Sequence, residues 1–279
     1  MYNFDYLIKK IEEASFINKP YKHLWIEDFL SNEHFEELTS LKQVNTPGFS
    51  SPEEMLDQLQ RLSYRVISFP GCITDVKEYF NRLRNNDWPK DPTTEGFGMT
   101  LRLTEPEEGL LKTLSSFFSS ENFANILKKK FDLKESTVLD TGIQKYLHKY
   151  EITPHPDTRR KALTFMLNMN PSKTSENDYI HTHLCSLKEE YKYFIDMWND
   201  DLNLERCWVP WEFCNTDFIT KKNNSIVIFA PDNTTFHAVK LDYDHLRYQR
   251  TQLYGNLWYQ NTHAPLRNIH YTNLLKNKE

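Results

Sequence analysis

Residues 146–170, YLHKYEITPHPDTRRKALTFMLNMN, decide how the chain is read. They set His155 and Asp157 two positions apart at the mouth of a strand, and in extended backbone residues i and i+2 project to the same side. One imidazole and one carboxylate can then face a single ion. A second stretch answers from far along the chain. Residues 226–259, IVIFAPDNTTFHAVKLDYDHLRYQRTQLYGNLWY, carry His237 and then Arg250. Two imidazoles and one carboxylate form a ligand set that holds non-haem Fe(II) with positions left open.

Around these two stretches the texture is β. From residue 161 to 170, Leu163, Phe165, Leu167 and Met169 share one parity, and Thr164, Met166 and Asn168 share the other, the alternation of a strand with two different faces. Residues 226–229 form a short apolar strand closed by Ala-Pro-Asp-Asn, and residues 251–259 form another. In an antiparallel double sheet, strands distant in sequence face one another across a narrow interior, which places His237 opposite the His-x-Asp pair. Arg250, Gln252 and Tyr254 share a parity and can line that interior. A guanidinium there needs an anionic partner, which it grips through two parallel hydrogen bonds. Arg247, three residues earlier, is the competing assignment.

The N-terminal half reads as helices around one early strand. Phe4, Leu7, Ile8 and Ile11 recur at helical spacing over residues 3–16, and KPYKHLWIEDFL alternates like a half-buried strand. Ser31 caps a helix reaching about Lys42, and residues 109–131 form a helical block in which Ser119 or Ser120 caps a second helix ending in Lys128, Lys129 and Lys130. Residues 44–100 are rich in turn signals and give no firm elements. Residues 171–222 read as an insertion in the β half, with a helix from Leu187 to Trp198 and the aromatic run CWVPWEFC, which serves as packing or as a lid. The tail after Asn261 is polar and packs loosely or over the barrel mouth.

The bulk numbers restrict the partners. The chain has 279 residues, enough for a sizeable core. A net charge of −5 argues against a nucleic-acid backbone as the main partner. Cys72, Cys185, Cys207 and Cys214 form no CxxC pair, so neither a disulfide scaffold nor a zinc ribbon is expected and a cytoplasmic setting fits. The start of the chain lacks the pattern of a signal peptide, and no stretch approaches the ~20 apolar residues of a membrane span. The expectation is a soluble, unexported protein.

Taken together, the motifs resemble the Fe(II)- and 2-oxoglutarate-dependent dioxygenases, above all the prolyl-hydroxylase-like branch. Tyr146 lies nine residues before His155, Leu167-Asn168 closes the next strand, and His237 and Arg250 complete the pattern. The resemblance covers roughly residues 140–260, and KPYKHLWIEDFLSNEHFEEL looks like the strand and helix with which such proteins often begin. Lys149 stands where the family often has glycine, and the Gly-Gly that commonly follows the Leu-Asn strand is missing.

The resemblance implies a mainly β fold with flanking helices (α+β). Its core would be a double-stranded β-helix, a cupin-like jelly-roll, over about residues 137–260, within a single domain spanning residues 1–279. It also implies His155, Asp157 and His237 as ligands of Fe(II), with 2-oxoglutarate and O2 as cosubstrates. Arg250 would pair with the far carboxylate of 2-oxoglutarate and Tyr146 would hydrogen-bond it. The implied activity is hydroxylation of a prime substrate, a protein residue such as proline or a small molecule, with release of succinate and CO2. Two other classes remain at this stage: a non-catalytic jelly-roll binding module, and a zinc-binding protein using His181 and His183 with Cys207 or Cys214.

Overall fold

The computed structural model describes residues 2–68, 73–86, 95–97, 99–178, 180–206, 208–240, 244–247 and 249–262. The chain opens with α1 (Asp5–Glu13), β1 (His23–Ile26), α2 (Asn32–Ser40), α3 (Pro52–Arg61), β2 (Tyr64–Val66) and α4 (Val76–Asn85). It continues through β3 (Glu95–Phe97), β4 (Thr100–Leu103), α5 (Leu110–Phe118) and α6 (Glu121–Phe131). The β half follows as β5 (Thr137–Tyr146), β6 (Glu151–His155), β7 (Lys161–Asn168), β8 (His183–Leu187), α7 (Tyr193–Asp200), β9 (Cys214–Ile219), β10 (Ser225–Phe229), β11 (Phe236–Val239) and β12 (Thr251–Tyr259).

Helix starts follow local chemistry. Ser31, Ser51, Asp75 and Ser120 each accept the backbone N–H three residues on, so α2, α3, α4 and α6 begin where a side-chain oxygen replaces the missing helical acceptor. The lysines closing α6 also join two helix ends. Lys129 pairs with Glu12 at 2.6 Å, and Lys130 donates to the carbonyls of Glu12 and Ala14 at the end of α1, where cations suit the carbonyl dipoles. Among the described residues no helix is long and apolar enough to cross a membrane.

Two antiparallel sheets hold the β half. Among the described residues the larger runs β1-β10-β7-β12-β5-β4-β2 and the smaller β3-β6-β11-β8-β9. From β5 onward the chain weaves between them: β5, β7, β10 and β12 belong to the larger sheet, β6, β8, β9 and β11 to the smaller. The last of these strands returns to lie beside the first. That eight-strand weave is a double-stranded β-helix of the jelly-roll type, and it is the core anticipated from the sequence.

The parity read in the sequence sets the two faces of the larger sheet. Leu163, Phe165 and Leu167 join Ile226, Ile228, Leu253 and Leu257 in a core shared with the helices, including Leu7, Leu114 and Phe123. The opposite face carries Gln144, Thr164, Asn168, Gln252 and Asn256, all buried, beside an apolar group of Met166, Val227 and Phe229. Close packing of the helical side is visible at Gly255, where a Cβ would lie 2.2 Å from the Phe165 ring and 2.8 Å from the Asp140 carbonyl. Gly255→Ala is therefore expected to destabilise the fold by about 1–3 kcal/mol, the usual penalty of overpacking. A lowered urea midpoint checks this, and an unchanged midpoint would mean the Phe165 contact is looser than described.

The structure corrects the extent of the insertion. Residues 171–222 contain β8 and β9, two strands of the core, and the true excursion runs only between them, over residues 188–213. Its α7 and following loop bury Phe194, Trp198, Leu204, Val209 and Phe213 on the outer face of the smaller sheet with Cys185, Phe236 and Ala238. The two strands were obscured because HLCSL and CNTDFI are short and carry polar residues at both parities. Residues 44–100, left without elements above, supply α3, β2, α4, β3 and β4. The C-terminal tail beyond residue 262, with Cys72 and Cys207, lies outside the described residues.

Candidate metal centre

His155 ends β6, and His237 sits in β11 directly opposite it. The pairing places the two rings 4.4 Å apart between centroids. Asp157, two residues past His155, completes a buried group in which one ligand atom from each residue lies within 4.8 Å of the others. Among the described residues no other group of three His, Cys, Asp or Glu side chains has this geometry.

The hydrogen bonds leave the donors free where an ion would need them. His155 Nδ1 is 2.8 Å from the Thr153 carbonyl, and His237 Nδ1 is 3.1 Å from the Thr235 carbonyl. Each ring therefore donates Nδ1–H to its own strand and keeps the Nε2 lone pair for the interior, the tautomer a metal ligand requires. His237 Nε2 lies 3.8 Å from Asp157 Oδ2. The donor set and its burial fit a divalent ion.

Burial shifts the charges the same way. Desolvation, with a smaller contribution from His237, lowers the His155 imidazole to about 3, and burial also lowers His237. Both rings are thus neutral at neutral pH, and the His237–Asp157 contact is not an ion pair. For Asp157 burial pushes the carboxyl up, but the ammonium of Lys161 and the two imidazoles outweigh it and hold it well below the ordinary carboxylate range. A ready-made anion facing two neutral imidazoles is the protonation state that accepts a cation.

Arg250 is buried just ahead of β12, stacked over the Tyr146 ring with 4.6 Å from the guanidinium carbon to the centroid. Its Nη2 donates to Thr182 Oγ1 at 2.9 Å, while Nε is buried without an acceptor. Among the described residues no carboxylate pairs with it. A buried guanidinium left short of its acceptors has the chemistry to take an anion. Arg247, the competing assignment, is exposed in a turn. The Tyr146 hydroxyl is directed at Gln252 Oε1 (3.0 Å) and Gln144 Oε1 (3.2 Å). Tyr146, Gln252 and Tyr254 all belong to the polar inner face, so the Arg250 pocket and the triad open onto the same interior.

Several residues here were not singled out in the sequence. Lys161 donates to Asp157 Oδ1 and Thr164 Oγ1 to Oδ2, both at 2.6 Å. The excursion between β8 and β9 reaches the site through Arg206, which donates to the Asp157 carbonyl and, at 2.6 Å, to Asn233 Oδ1. Trp208 from the same segment stands 5.8 Å from the His155 ring, and Val209 N–H bonds the Pro154 carbonyl at 2.8 Å. CWVPWEFC is thus packing at Val209 and Phe213 and a wall of the site at Trp208. The β5–β6 turn places Lys149 at φ 67°, a left-handed backbone that glycine adopts most readily.

The rival pair is placed differently. His181 donates Nε2–H to the Ser175 carbonyl at 2.8 Å, and His183 Nδ1 lies 3.2 Å from Thr216 Oγ1 with the ring edge-on to Trp211. Among the described residues no third ligand joins them. Burial lowers both imidazoles to about 4. Their folded values lie below the unfolded value of 6.5, so the unfolded chain takes up protons first, and stability held above pH 6.5 is lost as pH falls toward about 4. His183→Asn is expected to reduce the slope of stability against pH in this window by about one proton. Urea midpoints between those pH values measure it, and an unchanged slope would show that His183 is not held neutral.

No family model matches the sequence, and no curated protein matches it. Solved structures do match. One is a prolyl-4-hydroxylase from Pseudomonas putida, with TM-score 0.44 and 8% identity over 92% of this chain and 99% of that one. An oxidoreductase of the 2OG-Fe(II) oxygenase family from Burkholderia pseudomallei matches with TM-score 0.34 and 10% identity, over 79% and 97%. The epimerase SnoN, solved with Fe3+, alpha-ketoglutarate and nogalamycin RO, matches with TM-score 0.37 and 10% identity, over 95% and 93%. The fold assignment rests on the strand order above, and the metal assignment on the geometry of His155, Asp157 and His237.

Proposed function

We propose that the protein is an Fe(II)- and 2-oxoglutarate-dependent oxygenase that hydroxylates a prime substrate, a protein residue or a small molecule, while converting 2-oxoglutarate to succinate and CO2. The observation that carries the reading is the convergence of three buried donors whose Nδ1–H bonds turn both Nε2 atoms toward Asp157. His155, Asp157 and His237 would hold the iron on one side. When bound, the iron supplies the redox chemistry that couples decarboxylation of 2-oxoglutarate to oxygen transfer.

The chain's own part is binding, orientation and exclusion of water. Arg250, held by Thr182 and stacked on Tyr146, would grip the far carboxylate of 2-oxoglutarate through a charge-assisted fork. Tyr146 stacks against the guanidinium and would turn its O–H from the Gln252 and Gln144 amide oxygens to donate to that carboxylate. Trp208 walls the His155 side and would help keep bulk water from the reacting centre. The free buried thiols Cys185 and Cys214 fit a reducing, cytoplasmic compartment.

The test is succinate formation by anaerobically prepared protein given Fe(II), 2-oxoglutarate and then air. The reading expects succinate that depends on added iron and is lost with Asp157→Ala. Succinate at the same level in that variant and in iron-free protein would remove it.

A further inference from the structure

Asp157 is held by more than its role as a ligand requires. Lys161 Nζ takes Oδ1 at 2.6 Å and Thr164 Oγ1 takes Oδ2 at 2.6 Å. Lys161 Nζ also meets the Tyr254 hydroxyl at 2.9 Å, and the Tyr254 and Thr164 hydroxyls both reach Asn256 Oδ1, at 3.2 and 3.0 Å. β7 and β12 thereby close a hydrogen-bonded ring around one carboxylate. The ammonium lies over the rings of Tyr254 and Trp258, 5.6 and 5.5 Å from their centroids. With side chains only 10% and 5% exposed, Lys161 and Asp157 form a buried ion pair that solvent screens little.

A local irregularity of the strand creates this pair. Leu163 pairs with Leu257 but Lys161 pairs with Trp258, so Ala162 is an extra residue on β7. The bulge turns Lys161 from the helical face, where its parity with Leu163 would send it, to the polar interior. There the two carboxylate oxygens differ. Oδ2 is the one 3.8 Å from His237 Nε2, and Oδ1 carries the ammonium.

We propose that Lys161 is a positioning residue that confines Asp157 to one oxygen toward the metal and offsets part of the charge that oxygen donates. The ion is then bound less tightly than by a free carboxylate, and a coordination position that Oδ1 would otherwise take stays available to the cosubstrate. The inference rests on the iron and 2-oxoglutarate reading. A lysine that only supported the fold would, on removal, loosen metal and cosubstrate alike. A lysine acting through Asp157 moves the two affinities in opposite directions, because its loss frees Oδ1 and removes a positive charge close to the cation.

The experiment is anaerobic titration of Co(II) into the metal-free full-length protein, followed by visible absorption, then of 2-oxoglutarate into the Co(II)-loaded protein. Lys161→Met is expected to bind Co(II) about tenfold more tightly and 2-oxoglutarate about tenfold more weakly. Lys161→Gln, which keeps a donor but no charge, moves both affinities in the same directions and replaces Lys161→Met should that variant not fold. Lys161→Arg keeps the charge but not the point-like ammonium, and its Co(II) affinity is expected to lie closer to the parent than that of the uncharged variants. Unchanged or weaker Co(II) binding in the uncharged variants overturns the proposal. Asp157→Ala separates the two levels: if it also retains Co(II), the metal reading itself has failed, whereas its loss of Co(II) beside an unresponsive Lys161→Met condemns only the role given to Lys161.

Discussion

The Asp157→Ala protein is expected to lose stoichiometric Fe(II) and, with it, all 2-oxoglutarate turnover. Asp157 is the only anion in the triad, and His155 and His237 are neutral rings buried beside it. Two imidazoles alone leave a divalent charge without compensation in a buried site. The substitution also strands Lys161, whose ammonium Asp157 pairs at 2.6 Å, and an unpaired buried charge costs about 3–5 kcal/mol. Loss of metal must therefore be separated from loss of fold. Asp157→Asn keeps the shape and the contact to Thr164 Oγ1 while removing the charge. In both variants metal content after anaerobic reconstitution is expected to fall to background, with the far-ultraviolet circular dichroism of at least the Asn variant unchanged. One equivalent of iron in a folded Asp157→Asn protein would contradict the role assigned to that carboxylate.

The second large effect is expected at Arg250. Its guanidinium is buried, stacked on Tyr146 and anchored by Thr182, with no carboxylate partner among the described residues. Removing a bidentate, charge-assisted contact is worth about 3 kcal/mol, so Arg250→Ala should weaken 2-oxoglutarate binding roughly a hundredfold. Iron affinity should stay as in the parent, because Arg250 is not a ligand. Arg250→Lys restores a charge but not the planar fork, and an intermediate affinity is expected. Arg247→Ala serves as the control, since Arg247 is exposed in a turn. Calorimetric titration of 2-oxoglutarate into the metal-loaded proteins reads all three. Equal loss of iron and 2-oxoglutarate in Arg250→Ala would mean that the arginine supports the fold, and a loss in Arg247→Ala would move the cosubstrate pocket.

What the sequence made legible is what alternation governs. Leu163, Phe165 and Leu167 face the helices while Thr164 and Asn168 face the interior, because side chains alternate strictly along β7 once past its start. The i, i+2 spacing of His155 and Asp157 placed both on one side, and the β6–β11 pairing brought His237 to them. Gln252 and Arg250 are buried as their shared parity anticipated. Lys161 escaped notice because the extra residue Ala162 reverses the parity at the first position of the strand, and no rule of alternation reports a bulge. Thr182 and Arg206 escaped because they come from irregular segments, one just before β8 and one between β8 and β9, strands too short and too polar to stand out, whereas Trp208 lay in the aromatic run already read as packing or lid. A lysine four residues after the aspartate of the motif, opening the Ala-Leu-Thr run of a strand, was the available signal, but it was equally the signature of an exposed strand start.

One small interior is expected to hold both the metal and the anion that Arg250 binds. Crystals grown anaerobically with Mn(II) and 2-oxoglutarate, measured at the manganese absorption edge, test it most directly. The expected result is a single anomalous peak within bonding distance of His155 Nε2, His237 Nε2 and an Asp157 oxygen, with the far carboxylate of 2-oxoglutarate on Arg250. A peak at His181 and His183, or a diacid bound away from Arg250, would contradict it.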